Sequence, residues 1–176
     1  MSKHDDEKKN DQQLLSEKIK DIRIAMMTTA EPDGTLHSRP MATQDFKALE
    51  FDGDLWFFTH ASAPKVDEVQ QHQQVSLSYA KPDANLFVTV SGTAQLVRDR
   101  DKMKQIWKPF YKAWFPDGED DPDLALLKVH VESAEYWDAP AGKVGLFANI
   151  IKGIASNTQE PVGRDVKLDM HQNQTK

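Results

Sequence analysis

Short runs of alternating apolar and polar residues fill the middle of the chain and predict β-strands. In the clearest run, residues 74–80, Val75, Leu77 and Tyr79 fall on one side and serines occupy the positions between them. This period of two is typical of a half-buried strand. We predict further strands at residues 23–30, 35–42, 49–51, 54–59, 86–97 and 124–138.

Turn-forming residues separate these runs. Residues 31–34 read Glu-Pro-Asp-Gly, a sequence typical of a β-turn. Asp52 and Gly53 stand between Leu49–Phe51 and the aromatic run 54–59, and we predict a hairpin turn there. Gly92 interrupts the long run 86–97, which indicates a β-bulge or a barrel corner.

Three other segments have helical spacing. Leu14, Leu15, Ile19 and Ile22 lie on one face of a short amphipathic helix. Pro64 suits the first position of a second helix. Residues 99–115 form the clearest helical region, which Pro109 is expected to split or kink.

This order of elements predicts a mainly β fold: a six-stranded antiparallel barrel, closed or partly closed, with peripheral helices. With 176 residues, 39% of them hydrophobic, the chain can bury one sizeable core. We assign residues 14–138 to the barrel domain and residues 1–13 to a flexible polar arm. Residues 139–176 are expected to form an extension that is partly helical and then flexible.

The charge balance excludes several classes of function. The chain carries 22 Lys and Arg against 28 Asp and Glu, so binding to nucleic acid by bulk electrostatics is not expected. We find no apolar run of membrane-spanning length and no secretory leader, and we expect a cytoplasmic protein that does not bind membranes. The absence of cysteine excludes disulfides and thiolate chemistry, so any redox chemistry requires a bound cofactor.

No residue pattern points to a metal or to a catalytic group. The six histidines do not have metal-ligand spacing, and we predict no metal site. The acidic segment 117–123 lacks the spacing of a calcium loop and is interpreted as a surface loop. Nucleotide-binding loops and nucleophile elbows are absent from the sequence, so we assign no catalytic residue.

The segment WFFTHASAPKVDEV, residues 56–69, combines two kinds of surface. Three aromatic residues precede Thr59, Ser62 and Lys65, which stand at the start of the helix that Pro64 opens. Hydroxyl donors, a cation and a helix N-terminus can together hold a phosphate. The alternative is an ordinary core strand followed by a capping serine and a solvated lysine.

Five segments in order decide between these readings: AMMTTAEPDGTLHSRPM, LWFFTHASAPKVDEV, VSLSYAKPD, VTVSGTAQLVRDRDKMKQIW and EYWD. Over residues 15–138 the chain resembles the pyridoxamine 5′-phosphate oxidase-like flavin-binding split barrels, and most closely their bacterial general stress branch. The resemblance implies a homodimer with two FMN sites at the subunit interface, with FAD as an open alternative.

The resemblance also implies the residues of the flavin site. Arg39, Pro40 and Met41 are expected along the flavin, and Phe58 and Thr59 beside its ribityl and phosphate portion. Ser62 and Lys65 correspond to phosphate-binding positions. Trp137 corresponds to a tryptophan that contacts the flavin from the partner chain, and Trp107 and Trp114 are expected as pocket walls. Each tryptophan has the alternative of a place in the core.

The sequence departs from the true oxidases after Trp137. Those enzymes carry an Arg-x-His pair there that holds the vitamer, whereas this chain reads DAPAGKVG. We therefore expect flavin-dependent redox chemistry on an unidentified small molecule, with a stress-related role, rather than oxidation of pyridoxamine phosphate. The alternatives are a flavin-binding stress or sensor protein without turnover, and a barrel that takes the deazaflavin F420 or haem.

Overall fold

The computed structural model describes residues 11–47, 49–138 and 164–170, which form three α-helices and seven β-strands. The helices are α1 (Asp11–Ile19), α2 (Pro64–Gln71) and α3 (Arg100–Ile106). The strands are β1 (Ile24–Ala30), β2 (Leu36–Ala42), β3 (Asp54–His60), β4 (Gln74–Lys81), β5 (Leu86–Val97), β6 (Leu124–Asp138) and β7 (Arg164–Asp169). Among these helices, none has the length and apolar character that crossing a bilayer requires.

All seven strands belong to one antiparallel sheet, in the order β2-β1-β4-β5-β6-β3, with β7 beside β6. The sheet curls until its two end strands meet at a bridge between Thr43 and Phe57. Next to that bridge the Gln44 N–H donates to the carbonyl of Trp56, and the Gln44 Oε1 accepts from the Trp56 N–H. The predicted mainly β fold of the split-barrel type is confirmed, but the sheet has seven strands rather than the predicted six.

The aromatic residues of β3 are divided between two hydrophobic cores. Phe57 points into the barrel, where it joins a large buried cluster built from the inner face of the curled sheet and from α1. Trp56 and Phe58 point the other way, into a second cluster with Tyr111 and Phe115. Because successive side chains of a strand face opposite sides, consecutive aromatic residues serve two cores.

Pro64, Pro109 and Gly92 each mark a change in backbone structure, as the sequence predicted. Pro64 occupies the first turn of α2. Pro109 begins a 3₁₀ helix, Pro109–Ala113, which follows α3 as a separate element. The pairing of β5 with β6 shifts register between Ser91 and Gly92. An irregularity at Gly92 is therefore confirmed, but the extra residue, Glu132, lies on β6 rather than on β5.

One predicted strand and one predicted boundary were wrong. Leu49–Phe51 is not a strand, because β3 already pairs with β6 on one side and bridges Thr43 on the other. Phe51 is nevertheless buried in the barrel core. Helix α1 begins at Asp11, inside the arm predicted for residues 1–13, and the Asp11 carboxylate accepts a hydrogen bond from the backbone N–H of Asp169.

The C-terminal extension contains order that the sequence did not predict. Arg164–Asp169, expected to be flexible, forms β7 along the second half of β6, with Leu168 in the barrel core. Strand β3 covers only Leu124–His130 of β6, so the remaining edge is available to β7. The helix expected between 139 and 163, and the arm before residue 11, lie outside the described residues.

Candidate functional site

A cavity of about 440 Å³ opens where β2 and β3 approach the aromatic segment 109–115; we call it the first cavity. Its walls are mostly apolar and include Pro40 and Met41 from β2 and Phe58 from β3. Ile24, Ala42, Tyr111, Trp114 and Phe115 complete these walls. The polar groups are Thr59, His60 and Lys65. The cavity therefore offers an apolar slot with a cation among its walls.

Lys65 is a half-buried cation in the wall of this cavity. Within the described residues it forms no ion pair within 4.0 Å. Burial lowers the pKa of its amine, the Arg39 charge lowers it further, and Glu68 opposes both. Desolvation and a like charge disfavour the ammonium form of Lys65. An anion bound beside it would favour that form, and the two charges would stabilise each other.

Arg39 does not line the first cavity and is held by a buried carboxylate. Its Nη2 donates to Oε2 of Glu68 at 2.7 Å, and its Nη1 donates to Oγ1 of Thr29. The Thr29 hydroxyl in turn donates to Glu68. Burial by itself would raise the pKa of Glu68, but the hydrogen bonds from Thr29 and Arg39 and the Arg39 charge outweigh it and lower that pKa.

We expect Glu68→Gln to destabilise the protein by about 2 kcal/mol at pH 7, because it leaves a largely buried arginine without its charge partner. The pKa of Glu68 is lower in the folded state, so its stabilisation is present above its ordinary value of 4.5 and disappears as the pH falls through the lowered pKa. Urea unfolding of both proteins between pH 3 and 7 measures this. A stability difference that stayed constant over that range would contradict the ion pair.

Ser62 lies beside the helix start but is engaged elsewhere. Its Oγ donates to Oδ2 of Asp123 at 2.5 Å, and its backbone N–H donates to Oδ1 of the same carboxylate at 3.1 Å. These bonds lower the pKa of Asp123. Asp123 thus occupies the donors that a phosphate would need from Ser62. Thr59 does line the first cavity, where its hydroxyl donates to the carbonyl of His60 at 3.2 Å.

The three tryptophans predicted at the site occupy different surroundings. Trp114 lines the first cavity and is 55% exposed. Trp107 packs edge-on against Phe58, with ring centroids 5.3 Å apart, and stands behind the cavity wall. Trp137 is 38% exposed on β6, opposite Phe87 of β5 and away from the cavity.

The structure thus brings Pro40, Met41, Phe58, Thr59, Lys65 and Trp114 together around the first cavity, whereas Arg39, Ser62, Trp107 and Trp137 do not line it. Sequence reasoning missed Tyr111, His60 and Glu68. The spacing of Glu68 three residues after Lys65 places both on one face of α2, and this signal could have indicated their proximity. No comparable pattern marks Tyr111, because its place depends on the irregular segment that carries it.

His37 lies close to two carboxylates. Ligand atoms of Glu31, His37 and Glu68 lie within 4.8 Å of one another. Arg39 already neutralises Glu68, and His37 is exposed. A cation at this group would have to compete with the guanidinium.

Known proteins of the same family resemble this chain in sequence and in fold. A family model described as "Pyridoxamine 5′-phosphate oxidase like" matches residues 10–161. The chain is 31% identical to protein bli-3 of Neurospora crassa, and the alignment covers 85% of this chain and 78% of that protein.

Solved structures are similar over comparable lengths. A candidate general stress protein 26 from Jannaschia sp. CCS1 has a TM-score of 0.69 and 22% identity, covering 88% of this chain and 94% of that one. The general stress FMN/FAD binding protein of Xanthomonas citri has a TM-score of 0.63 and 28% identity, covering 74% and 90%. The first similarity establishes the split-barrel fold, and the second adds a relative whose name states a flavin ligand.

Proposed function

This chain belongs to the pyridoxamine 5′-phosphate oxidase-like family, and from that premise we propose that it binds FMN and uses it in flavin-dependent redox chemistry on a small molecule. FAD is the alternative ligand. The Xanthomonas citri protein, which is named as FMN/FAD-binding, supports a flavin as the ligand, and its description as a general stress protein supports a stress-related role.

One observation carries this proposal: the first cavity combines apolar walls with a cation that forms no ion pair among the described residues. A flavin ring needs apolar contacts on its faces, and Pro40, Met41 and Phe58 provide them. Its phosphate needs a positive charge at one end, which Lys65 provides from the start of α2. A bound flavin would supply the electron-transfer chemistry, and this chain's residues would bind and orient it.

We further propose that two copies of the chain form a homodimer with a flavin site at their interface. Large apolar side chains remain exposed on the outer face of the sheet, including Met26 at 41%, Phe87 at 46% and Trp137 at 38%. Within one chain Trp137 lies away from the first cavity, so its proposed contact with flavin requires a partner subunit. An apolar surface of this kind is stabilised when a second copy covers it.

A binding protein without turnover is the second candidate. Phe87 and Trp137 leave an apolar surface at the end of β6, but the segment that follows contains neither the arginine nor the histidine that grips a vitamer in the true oxidases. Reduction of the bound flavin by NAD(P)H and reoxidation by a defined acceptor would support the enzyme. Tight flavin binding with negligible turnover would support the binding protein.

We expect the purified protein to be yellow, with one FMN per chain and a dimeric mass in solution. Absorbance spectroscopy, mass identification of the molecule released on denaturation and light scattering test these three expectations. Release of F420 or haem would identify a different cofactor for the same barrel. A flavin-loaded monomer would contradict the shared site.

A further inference from the structure

His60, the last residue of β3, is a second basic side chain in the wall of the first cavity. Thr59 precedes it on the strand, and Lys65 follows it across the turn that leads into α2. These three polar residues of the wall therefore come from one short stretch of the chain. The imidazole lies at the same end of the cavity as the lysine that we assign to a phosphate.

Asp121 fixes one nitrogen of the His60 ring. Its Oδ2 lies 3.5 Å from Nε2 of His60, and its side chain is almost completely buried. Its other oxygen, Oδ1, accepts the backbone N–H of Asp123 at 2.8 Å, so the carboxylate is itself held in place. The Phe115 ring packs edge-on against the imidazole, with centroids 4.9 Å apart. Nδ1 of His60 forms no hydrogen bond within residues 11–47, 49–138 and 164–170, which leaves it for a molecule in the cavity.

The charge state of His60 decides whether Nδ1 can donate a hydrogen bond. A neutral imidazole carries one N–H, and the Asp121 carboxylate favours the tautomer with that hydrogen on Nε2. Nδ1 then presents a lone pair, which repels the oxygens of an ionised phosphate. In the protonated ring both nitrogens donate, so Nε2 remains bonded to Asp121 while Nδ1 can donate to an anion. Imidazole side chains ordinarily change charge between about pH 5 and 8.

The charged groups around His60 come from two other parts of the fold. Asp121 pairs with it from the loop before β6, and Asp123 of the same loop interacts with its charge. Lys65 lines the same cavity from α2. Tyr111, whose pKa burial raises to about 12, stays neutral there. The two carboxylates favour the protonated ring and Lys65 opposes it, so a bound dianion would shift the balance toward protonation.

We propose that His60 is a pH-dependent phosphate-binding residue: its protonated ring, held by Asp121, donates from Nδ1 to the phosphate of a flavin in the first cavity. This inference rests on the proposed function, to which it adds control of cofactor binding by pH. Lys65 binds the phosphate across the neutral range, and His60 joins it as the pH falls. The site therefore offers two cations to the phosphate in a mildly acidic medium and one in a mildly alkaline medium.

Fluorescence titration of FMN and of riboflavin between pH 5.5 and 8.5, with the full chain and with His60→Gln, tests the proposal. At pH 6 we expect the variant to bind FMN about fivefold more weakly than wild type, and at pH 8.5 the two affinities should agree. Riboflavin affinity should be the same for both proteins at every pH. A phosphate monoester itself titrates near about pH 6, but both proteins receive the same ligand, so the ratio of affinities removes that effect.

The matched control His72→Gln changes an exposed histidine that does not line the first cavity, and it should follow wild type. Asp121→Asn removes the carboxylate partner, so the pH at which FMN binding strengthens should fall. Thermal melting checks that this buried variant folds, and His60→Gln decides the proposal if it does not.

NMR of the imidazole signals gives a readout that a merely structural histidine would not show. The titration midpoint of His60, whose signals are assigned by their absence from His60→Gln, should rise when FMN binds and stay unchanged when riboflavin binds. A ratio of FMN affinities that stays constant with pH, or a midpoint that FMN does not move, would overturn the proposal and leave flavin binding intact. If wild type binds neither flavin at any pH, the proposed function fails, and this inference fails with it.

Discussion

Lys65→Ala should weaken the binding of FMN roughly thirtyfold and leave the binding of riboflavin almost unchanged. The two ligands share the ring and the ribityl chain, so only the phosphate distinguishes them. Lys65 is the cation among the residues that line the first cavity. Its half-buried amine forms no ion pair within the described part of the chain, which makes an incoming phosphate its natural partner.

Fluorescence quenching of each flavin, titrated against wild type, Lys65→Ala and the control Lys81→Ala, measures these affinities. Because the pKa of Lys65 is lowered, its charge is lost at a lower pH than that of an ordinary lysine. FMN affinity of the wild type should therefore decline on the alkaline side, and Lys65→Arg should resist that decline. Equal losses for FMN and riboflavin in Lys65→Ala would show that Lys65 does not contact the phosphate.

Gly92→Ala should destabilise the fold by about 3 kcal/mol and lower its melting temperature by roughly 10 °C. A Cβ atom at Gly92 would lie 2.1 Å from the backbone oxygen of His130 and 3.2 Å from Cγ1 of Val129. The first contact is with the main chain of β6, so no side-chain rotation can relieve it. The alanine would force apart the two strands with the longest pairing in the sheet.

Thermal melts of two control variants separate this clash from the general cost of replacing glycine. Gly34→Ala places its Cβ in open space but at a φ of +85°, and we expect it to cost about 1 kcal/mol through backbone strain alone. Ser91→Ala changes an exposed neighbour on the same strand and should stay within about 0.5 kcal/mol of wild type. A melting temperature for Gly92→Ala close to that of Ser91→Ala would mean that the bulge can open without strain.

Local chemistry explains the elements that the sequence predicted. Alternation placed Val75, Leu77 and Tyr79 on the buried face of β4, and the structure buries all three. Pro64 begins α2, because a proline lacks only an N–H that the first helical turn does not use. These outcomes depend on neighbours within a few residues along the chain.

The errors arose where a distant strand determined the outcome. Leu49–Phe51 has the apolar residues of a strand but finds no free edge beside β3. The mostly polar Arg164–Asp169 becomes β7 because β6 extends beyond β3 and leaves an edge to pair with. A strand exists only with a partner, and the partner's free length cannot be read from the strand's own residues.

By itself, the sequence determined the alternation of the strands, the glycine and proline positions, and the residues from which an apolar slot with a lysine could be built. Only the tertiary structure decided which polar groups pair: Arg39 forms an ion pair with Glu68, Ser62 donates hydrogen bonds to Asp123, and Lys65 is left at the cavity. It also placed the carboxylate of Asp121 beside His60, which lines that cavity. Periodicity reports which face of an element a residue occupies, whereas electrostatic pairing depends on distances between elements far apart in the chain.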